Sequence, residues 1–282
     1  MTELELRESD VRVDGLRLRV YETGNAGDQP ILWLHGSGPG VSSLSNWQAL
    51  ITSMPGYHHI APDVPGFGES EHLDPMPRGI PASAAARSEV LLHLLDTMGI
   101  EKTHVVGNSM GGMYSLRMVL TAPERFDRMV LMGSGGAPIP PTPDLVTMVQ
   151  FYDDPTEAAM LRLIGRFVYN VDMFGDTVQQ IATDRVAKAT REHIKAAHLA
   201  TFDPAGGALV YSDEELASIQ HETLVVHGRE DNMIPFAAGT HFASRIPNAQ
   251  LHVFPNAGHW VQVEQVARFR TQAQVFFGEG KS

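Results

Sequence analysis

The sequence contains no cysteine, comparatively few basic residues and no long hydrophobic run. Without cysteine the chain has no disulfide, no thiol nucleophile and no thiolate metal ligand. Lysine and arginine total 21 against 33 aspartate and glutamate residues, which gives a formal net charge of −12. Because clustered basic residues are needed to neutralise phosphates, this balance argues against a nucleic-acid partner and against an anionic membrane surface. No apolar stretch approaches the roughly 18 residues that suggest a membrane-spanning helix.

The rest of the composition is that of an ordinary globular protein. The 282 residues are 43% hydrophobic and 19% charged, so extensive disorder is not expected. This length suits one large α/β domain or two small ones, and it allows a substantial buried core. The first five residues are acidic and lack the basic start and apolar run of a signal peptide. We therefore expect a cytoplasmic protein.

Short apolar runs separated by longer segments predict an α/β fold. Near the start, Asp14 and Gly15 stand between two alternating apolar and polar runs, which is a strong hairpin signal. The later runs are almost continuously apolar, as in strands buried on both faces of a mainly parallel sheet flanked by helices. These runs are Ile31–Leu34, His59–Ala61, His104–Val106, Met129–Met132, Thr223–Val226 and Leu251–Phe254.

One long stretch interrupts this alternation. From 137 to 218 the sequence shows helical spacing, as at Met160, Ile164 and Phe167, after a proline-rich lead-in, and no convincing strand. We interpret it as a helical cap, or lid, inserted into an α/β core formed by residues 1–136 and 219–282. A second, independent domain is the alternative interpretation. The cap is favoured because core strands flank the insertion on both sides.

The segment from 104 to 112 matches a strand, then G-x-S-x-G, then a helix. A serine at such a sharp turn needs small residues two before and two after it, and Gly107 and Gly111 meet that need. Ser109 would then project above the sheet beside the start of the following helix. A chance serine in an ordinary turn is the alternative. We predict Ser109 as the nucleophile of a serine hydrolase.

A serine nucleophile needs a base, and the base needs an acid to orient it. In proteins with this strand–turn–helix motif, the acid and then the histidine follow the serine along the chain. Asp231 stands just after one late strand and His259 just after the next, at the strand ends where ligands bind in open α/β sheets. We expect Asp231 to orient His259, and His259 to carry the proton. Glu230 is the competing acid. The segment after Met129–Met132 holds no carboxylate, which favours the later position.

The glycine-rich segment after Ile31–Leu34 is predicted to be the oxyanion loop. Its glycines allow close backbone approach, and we assign the two oxyanion-hole donors to the N–H groups of Ser37 and Met110. A phosphate-binding loop is the competing interpretation, but no such glycine–lysine motif is present. Asp63 follows a strand within a turn-rich loop, so we expect a structural role. No histidine cluster has metal-ligand spacing, and we predict neither a metal nor a cofactor.

Together these motifs resemble the α/β-hydrolase fold over nearly the whole chain. The segments His35–Gly40, Ser45–Trp47, Gly107–Gly112 and Gly258–Trp260 are similar to those of the meta-cleavage product hydrolases. That family hydrolyses a carbon–carbon bond in vinylogous 1,5-diketones produced by ring fission of catechols. The resemblance implies an anionic dienone substrate of the 2-hydroxy-6-oxohexa-2,4-dienoate type. The implied products are 2-hydroxypenta-2,4-dienoate and a carboxylic acid.

The resemblance also implies substrate-binding residues. Carried over by position, Asn46, Asn108 and Trp260 would hold the dienoate end of the substrate, with Gly38 lying against it. Arg185 is the best match to a lid arginine that lies near the substrate carboxylate, and its planar fork suits that group. One more solvated helix charge is the alternative for Arg185, and a purely geometric role is the alternative for Asn108.

The resemblance also suggests that the protein is a homo-oligomer, a dimer or higher. The segment from Phe202 to Gly207 does not resemble a well-matched pocket wall, so the substituent at the ketone end of the substrate stays open. A carboxylesterase with the same three residues is the alternative enzyme, and a small-molecule receptor with vestigial hydrolase activity is the alternative outside catalysis. The triad argues against the receptor, because binding alone needs no positioned base.

Overall fold

A computed structural model describes residues 3–278. Its eight strands form one sheet in the spatial order β1-β2-β4-β3-β5-β6-β7-β8. The strands are β1 (Arg7–Val13), β2 (Leu16–Thr23), β3 (Gln29–Leu34), β4 (Tyr57–Pro62), β5 (Thr103–Asn108), β6 (Phe126–Met132), β7 (Glu222–Gly228) and β8 (Ala249–Phe254). The pairs β1–β2 and β2–β4 are antiparallel, and all other neighbours are parallel. Each predicted apolar run lies within one of these strands, which confirms the α/β prediction.

The hairpin predicted at Asp14 and Gly15 is present between β1 and β2. Both residues have positive φ, 51° and 86°, as a two-residue turn of type I′ requires. The local sequence therefore determines this turn without help from the rest of the fold.

Eleven α-helices occur among the described residues. They are α1 (Ser43–Ile51), α2 (Ile80–Thr97), α3 (Met110–Thr121), α4 (Pro143–Val149), α5 (Glu157–Phe167), α6 (Thr177–Ala189), α7 (Glu192–Thr201), α8 (Asp213–Ser218), α9 (Phe236–Arg245), α10 (Val261–Glu264) and α11 (Val266–Gly278). The segment from 137 to 218, which is described throughout, contains α4 to α8 with short 3₁₀ turns and no strand. The helical content predicted for it is confirmed.

The core lies on both faces of the sheet. Successive strand residues point to opposite faces, so in β3 Leu32 packs in one apolar cluster and Trp33 in the other. The first cluster includes side chains of α2, α3 and α9, and the second includes those of α1 and α11. Because helices cover both faces, the central strands β4 and β5 are buried along their whole length.

Among residues 3–278 no helix is long and apolar enough to cross a membrane. No group of three or more histidine, aspartate and glutamate side chains in that range has an arrangement that could hold a metal ion.

Asp63 is fully buried, and its carboxylate accepts the backbone N–H groups of Ser43, at the start of α1, and Glu69. Its role is therefore the structural one that the loop sequence indicated.

Candidate active site

Ser109 is the single residue between the end of β5 and the start of α3. Its backbone is strained for a residue with a side chain, with φ 57° and ψ −116°. The Ser109 N–H donates to the carbonyl of Met132 on the neighbouring strand, at 2.9 Å. A Cβ atom at Gly107 would collide with the backbone of Gly111, so this turn tolerates only glycine there. The G-x-S-x-G pattern thus follows from the sharpness of the turn.

Asp231 and His259 form a buried pair beside this turn. His259 Nδ1 lies 2.8 Å from Asp231 Oδ2, and the two side chains are 3% and 1% exposed. The other carboxylate oxygen of Asp231 accepts the backbone N–H groups of Met233 and Ile234, at 2.8 and 2.9 Å. A carboxylate facing Nδ1 requires the ring proton there, which leaves Nε2 of His259 as the proton acceptor.

The competing acid, Glu230, faces elsewhere. Its carboxylate pairs with Arg229 at 2.8 Å, and the side chain is 26% exposed. The residue that sequence reasoning missed here is His227, which is fully buried with Nε2 3.6 Å from Asp231 Oδ2. Desolvation lowers the pKa of His227. Its Nε2–H donates to the carbonyl of Ile234 at 2.9 Å, so the ring packs beside the carboxylate that faces His259.

His35 orients the peptide that carries one predicted oxyanion donor. The Val64 N–H donates to His35 Nε2 at 3.0 Å, so Nδ1 holds the ring proton and donates to the Gly36 carbonyl at 2.7 Å. That carbonyl and the N–H of Ser37 belong to the same peptide plane. Burial lowers the pKa of His35 to about 4, which keeps this arrangement neutral. Met110 is the first residue of α3, where an N–H has no intrahelical partner.

Most of the predicted site residues line one cavity, which we call the polar cavity. It holds eight of them: Ser37, Gly38, Asn46, Asn108, Ser109, Arg185, His259 and Trp260. Asp231 reaches it through His259. The amides of Asn46 and Asn108 are 3.3 Å apart, and Asn108 also donates to the carbonyl of Met132 at 3.2 Å. Asn108 is thus held by the sheet and in turn orients Asn46.

Arg185, on α6, is buried in the wall of the polar cavity. Only 7% of the residue is exposed, and its guanidinium lies 5.1 Å from the ring centre of Trp260. A Cβ atom at Gly38 would approach Arg185 Nη2 to 3.1 Å, so the glycine makes room for it. Desolvation lowers the pKa of Arg185 to about 10, which still leaves it protonated at neutral pH. The interpretation of Arg185 as a solvated helix charge is therefore wrong.

Among residues 3–278 this buried cation forms no ion pair: the cause of its pKa shift is desolvation, with no neighbouring charge, and its Nε has no hydrogen-bond acceptor. A buried charge without a partner is costly, and charged side chains are almost never fully buried unless paired. The arrangement suits a ligand that supplies the missing negative charge.

A second cavity, of about 230 Å³, adjoins the first. We call it the apolar cavity. Its hydrophobic wall comes from five separate parts of the chain: Ile80, Met113, Ile139, Pro140, Pro141, Leu145, Phe202, Leu209, Val210, Met233 and Ile234. Ser37, Ser109, Leu145 and Met233 line both cavities, so Ser109 lies where the two meet. The expectation that the segment beginning at Phe202 is no pocket wall is wrong for Phe202 itself.

Comparison with known proteins agrees with this geometry. The profile of a family described as alpha/beta hydrolase fold matches residues 29–266. A 2-hydroxymuconate semialdehyde hydrolase of Pseudomonas sp. (strain CF600) is 35% identical over 275 residues, 94% of this chain and 92% of that protein. A 2-hydroxy-6-oxononadienedioate/2-hydroxy-6-oxononatrienedioate hydrolase of Paraburkholderia phymatum is 34% identical over 279 residues, 94% of this chain and 93% of that one.

A solved structure extends the likeness to three dimensions. The 2-hydroxy-6-oxo-6-phenylhexa-2,4-dienoate hydrolase from Rhodococcus sp. strain RHA1 superposes with a TM-score of 0.92 at 33% identity, covering 97% of this chain and 99% of that one. The fold and the site thus define an α/β hydrolase. Within that superfamily the chain belongs to the meta-cleavage product hydrolases, as the sequence motifs indicated.

Gly133 offers a test of the Asp231–His259 pair. It has φ 48°, and a Cβ atom there would lie 3.0 Å from His259 Nδ1 and 3.1 Å from Asp231 Oδ2. We expect Gly133→Ala to disturb the pair and to slow labelling of Ser109 by a fluorophosphonate reagent by roughly tenfold or more. The matched control is Gly99→Ala, with φ 69° and no atom within 4 Å of the added methyl. Equal labelling rates for the two variants would contradict the expectation.

Proposed function

We propose that this protein hydrolyses the C5–C6 bond of a 2-hydroxy-6-oxohexa-2,4-dienoate. The products are 2-hydroxypenta-2,4-dienoate and a carboxylic acid. The observation that carries the proposal is the position of Ser109 between a polar cavity with an unpaired buried cation and an apolar cavity. A substrate with an anionic dienoate at one end of its carbonyl and an apolar group at the other matches this layout. Membership of the family supports the same reaction.

The dienoate end occupies the polar cavity in this proposal. Its carboxylate pairs with Arg185, whose guanidinium suits bidentate recognition of a carboxylate. Asn46 and Asn108 border the conjugated chain, Trp260 flanks it, and Gly38 allows close approach of the loop backbone. In this dry setting the donors act strongly on any negative charge that develops on the chain.

The reaction begins with ketonisation, which makes the later bond cleavage possible. The proton of the 2-hydroxyl leaves O2 and a proton is added at C5, giving a 2,6-dioxo-3-enoate. Ser109 Oγ then attacks C6 while its proton passes to Nε2 of His259, and Asp231 stabilises the imidazolium that forms. The N–H groups of Ser37 and Met110 stabilise the negative charge on the C6 oxygen.

Collapse of this intermediate breaks the C5–C6 bond. The electron pair of that bond moves into the enone and places negative charge on O2, near Arg185. The His259 imidazolium returns its proton to O2, which releases 2-hydroxypenta-2,4-dienoate. Water, deprotonated by His259, then attacks the acyl group on Ser109. The carboxylic acid leaves and the serine proton is restored, so every proton is accounted for.

The helical segment from 137 to 218 acts as a cap over residues 1–136 and 219–282 in this proposal. It supplies Arg185 to the polar cavity and Phe202 and Leu209 to the apolar one. The carbonyl of Phe167, at the end of α5, accepts the backbone N–H of His259 at 2.7 Å. The cap and the histidine loop are therefore joined directly. Homo-oligomer formation and a cytoplasmic location stay predictions.

Replacement of Ser109 tests the nucleophile. We expect Ser109→Ala to bind the yellow dienolate substrate but to lose turnover by roughly 10⁴-fold or more, because no other group can form the acyl-enzyme. The measurement is the loss of dienolate absorbance with time, with substrate in excess. Ser53→Ala, at a partly exposed serine that lines neither cavity, is the control. Turnover like wild type in Ser109→Ala would refute the mechanism.

Arg185 separates carbon–carbon hydrolysis from simple ester hydrolysis. We expect Arg185→Met to reduce kcat/KM for the dienoate about 100-fold or more, because the substrate carboxylate loses its partner. Hydrolysis of p-nitrophenyl acetate, which carries no carboxylate, should stay within about threefold of wild type. Arg162→Met, at a side chain that is 64% exposed, is the matched control. Equal losses on both substrates would point to a carboxylesterase with a structurally important arginine.

His35 provides a test of the oxyanion loop. We expect His35→Leu to lower kcat about tenfold or more with little change in KM, because the Gly36–Ser37 peptide loses the donor that orients it. His35→Asn should recover part of kcat, since its amide N–H can reach the same carbonyl. Both variants leave the Val64 N–H without an acceptor, so they share that loss. The same kcat for the two variants would argue against the positioning role.

A further inference from the structure

We propose that the ketone end of the substrate carries a bulky, uncharged, apolar group of about the size of a substituted phenyl ring, bound in the apolar cavity. The proposal rests on the proposed carbon–carbon hydrolysis and specifies its substrate class. The names of the similar proteins do not decide this point, since they mention a semialdehyde, a dienedioate and a phenylhexadienoate. Their identities of 35%, 34% and 33% are too close to choose among them.

The size of the cavity is the first argument. Its volume is about 230 Å³. A cavity of about 150 Å³ lined by leucine, isoleucine and phenylalanine is known to hold benzene. The apolar cavity therefore has room for a six-membered ring together with a substituent. A hydrogen atom at this end would leave the walls without contacts, and an apolar space of this kind gains little from water.

The absence of charge is the second argument. None of the described residues that line the apolar cavity is aspartate, glutamate, lysine, arginine or histidine. Its side-chain polar groups are the hydroxyls of Ser37, Ser109 and Ser134, and that of Ser134 donates to the carbonyl of Gly135 at 2.9 Å. A carboxylate on the ketone substituent would lose its water here without gaining a cation. The polar cavity, by contrast, contains the buried guanidinium of Arg185.

The position of the cavity is the third argument. Ser37 and Ser109 line both cavities, so the carbonyl attacked by Ser109 lies at their junction. When the dienoate occupies the polar cavity, the group on the other side of that carbonyl must enter the apolar one. Ile139 and Leu209 then line the space around this group on the cap side, and Met113 and Ile234 line it on the core side.

The test measures kcat/KM of the full-length protein on four 2-hydroxy-6-oxohexa-2,4-dienoates with hydrogen, methyl, phenyl or 2-carboxyethyl at C6. We expect phenyl to exceed hydrogen by about 100-fold and methyl to lie between them, because filled apolar contacts act on the transition state. Phenyl should exceed 2-carboxyethyl by about 100-fold as well, because that carboxylate stays unpaired. Equal or greater activity on the hydrogen or carboxyethyl compound overturns the substrate class. If none of the four is cleaved, the proposed carbon–carbon hydrolysis itself fails.

Two variants of Leu209 assign the preference to this cavity. Leu209→Trp narrows it and should lower the phenyl-to-methyl ratio of kcat/KM about tenfold. Leu209→Arg supplies a cation and should raise the carboxyethyl-to-phenyl ratio about tenfold or more. The matched controls are Leu199→Trp and Leu199→Arg, at a cap residue that is 50% exposed and lines neither cavity. Ratios that move equally at both positions, or at neither, would place the preference elsewhere.

Discussion

The site depends on the parallel alignment of β5, β6, β7 and β8. These neighbouring strands end at one edge of the sheet, and the loops after β5, β6 and β7 are each held by a backbone hydrogen bond to the next strand. Ser109 donates to Met132, Gly133 donates to Val226, and Arg229 donates to Phe254. The turn at Ser109 and the loops that carry Asp231 and His259 therefore lie next to one another at this edge of the sheet. The strain at Ser109 persists because this framework determines its backbone.

A second set of contacts joins this edge to the cap. The carbonyl of Phe167 accepts the backbone N–H groups of His259 and Trp260, and the Phe167 ring stacks on that of Trp260 at 4.6 Å. The Arg185 guanidinium also contacts this aromatic group, 5.1 Å from the Trp260 ring centre. Movement of α5 would therefore displace both His259, the proposed base, and Arg185, the proposed carboxylate-binding residue. The helical segment from 137 to 218 therefore contributes directly to the wall of the polar cavity.

The electrostatics of the chain operate on two scales. A net charge of −12 mildly opposes an anionic substrate, but salt screens that field over about 8 Å. Inside the polar cavity, Arg185 is desolvated and unpaired, so its attraction for a carboxylate is screened far less. In the proposed function, recognition of the anion therefore comes from this local group, and the overall charge contributes little to it.

By itself the sequence determined the hairpin at Asp14 and Gly15, the positions of the later strands along the chain and the turn around Ser109. Each of these depends on local conformational demands or on short apolar runs, which are legible in a few consecutive residues. Only the tertiary structure decided the surroundings of Arg185, because its neighbours in the chain resemble those of any surface helix. The same holds for the apolar cavity, whose wall combines Ile139, Phe202 and Ile234. Cavities arise from the packing of distant segments, and no local pattern encodes that shape.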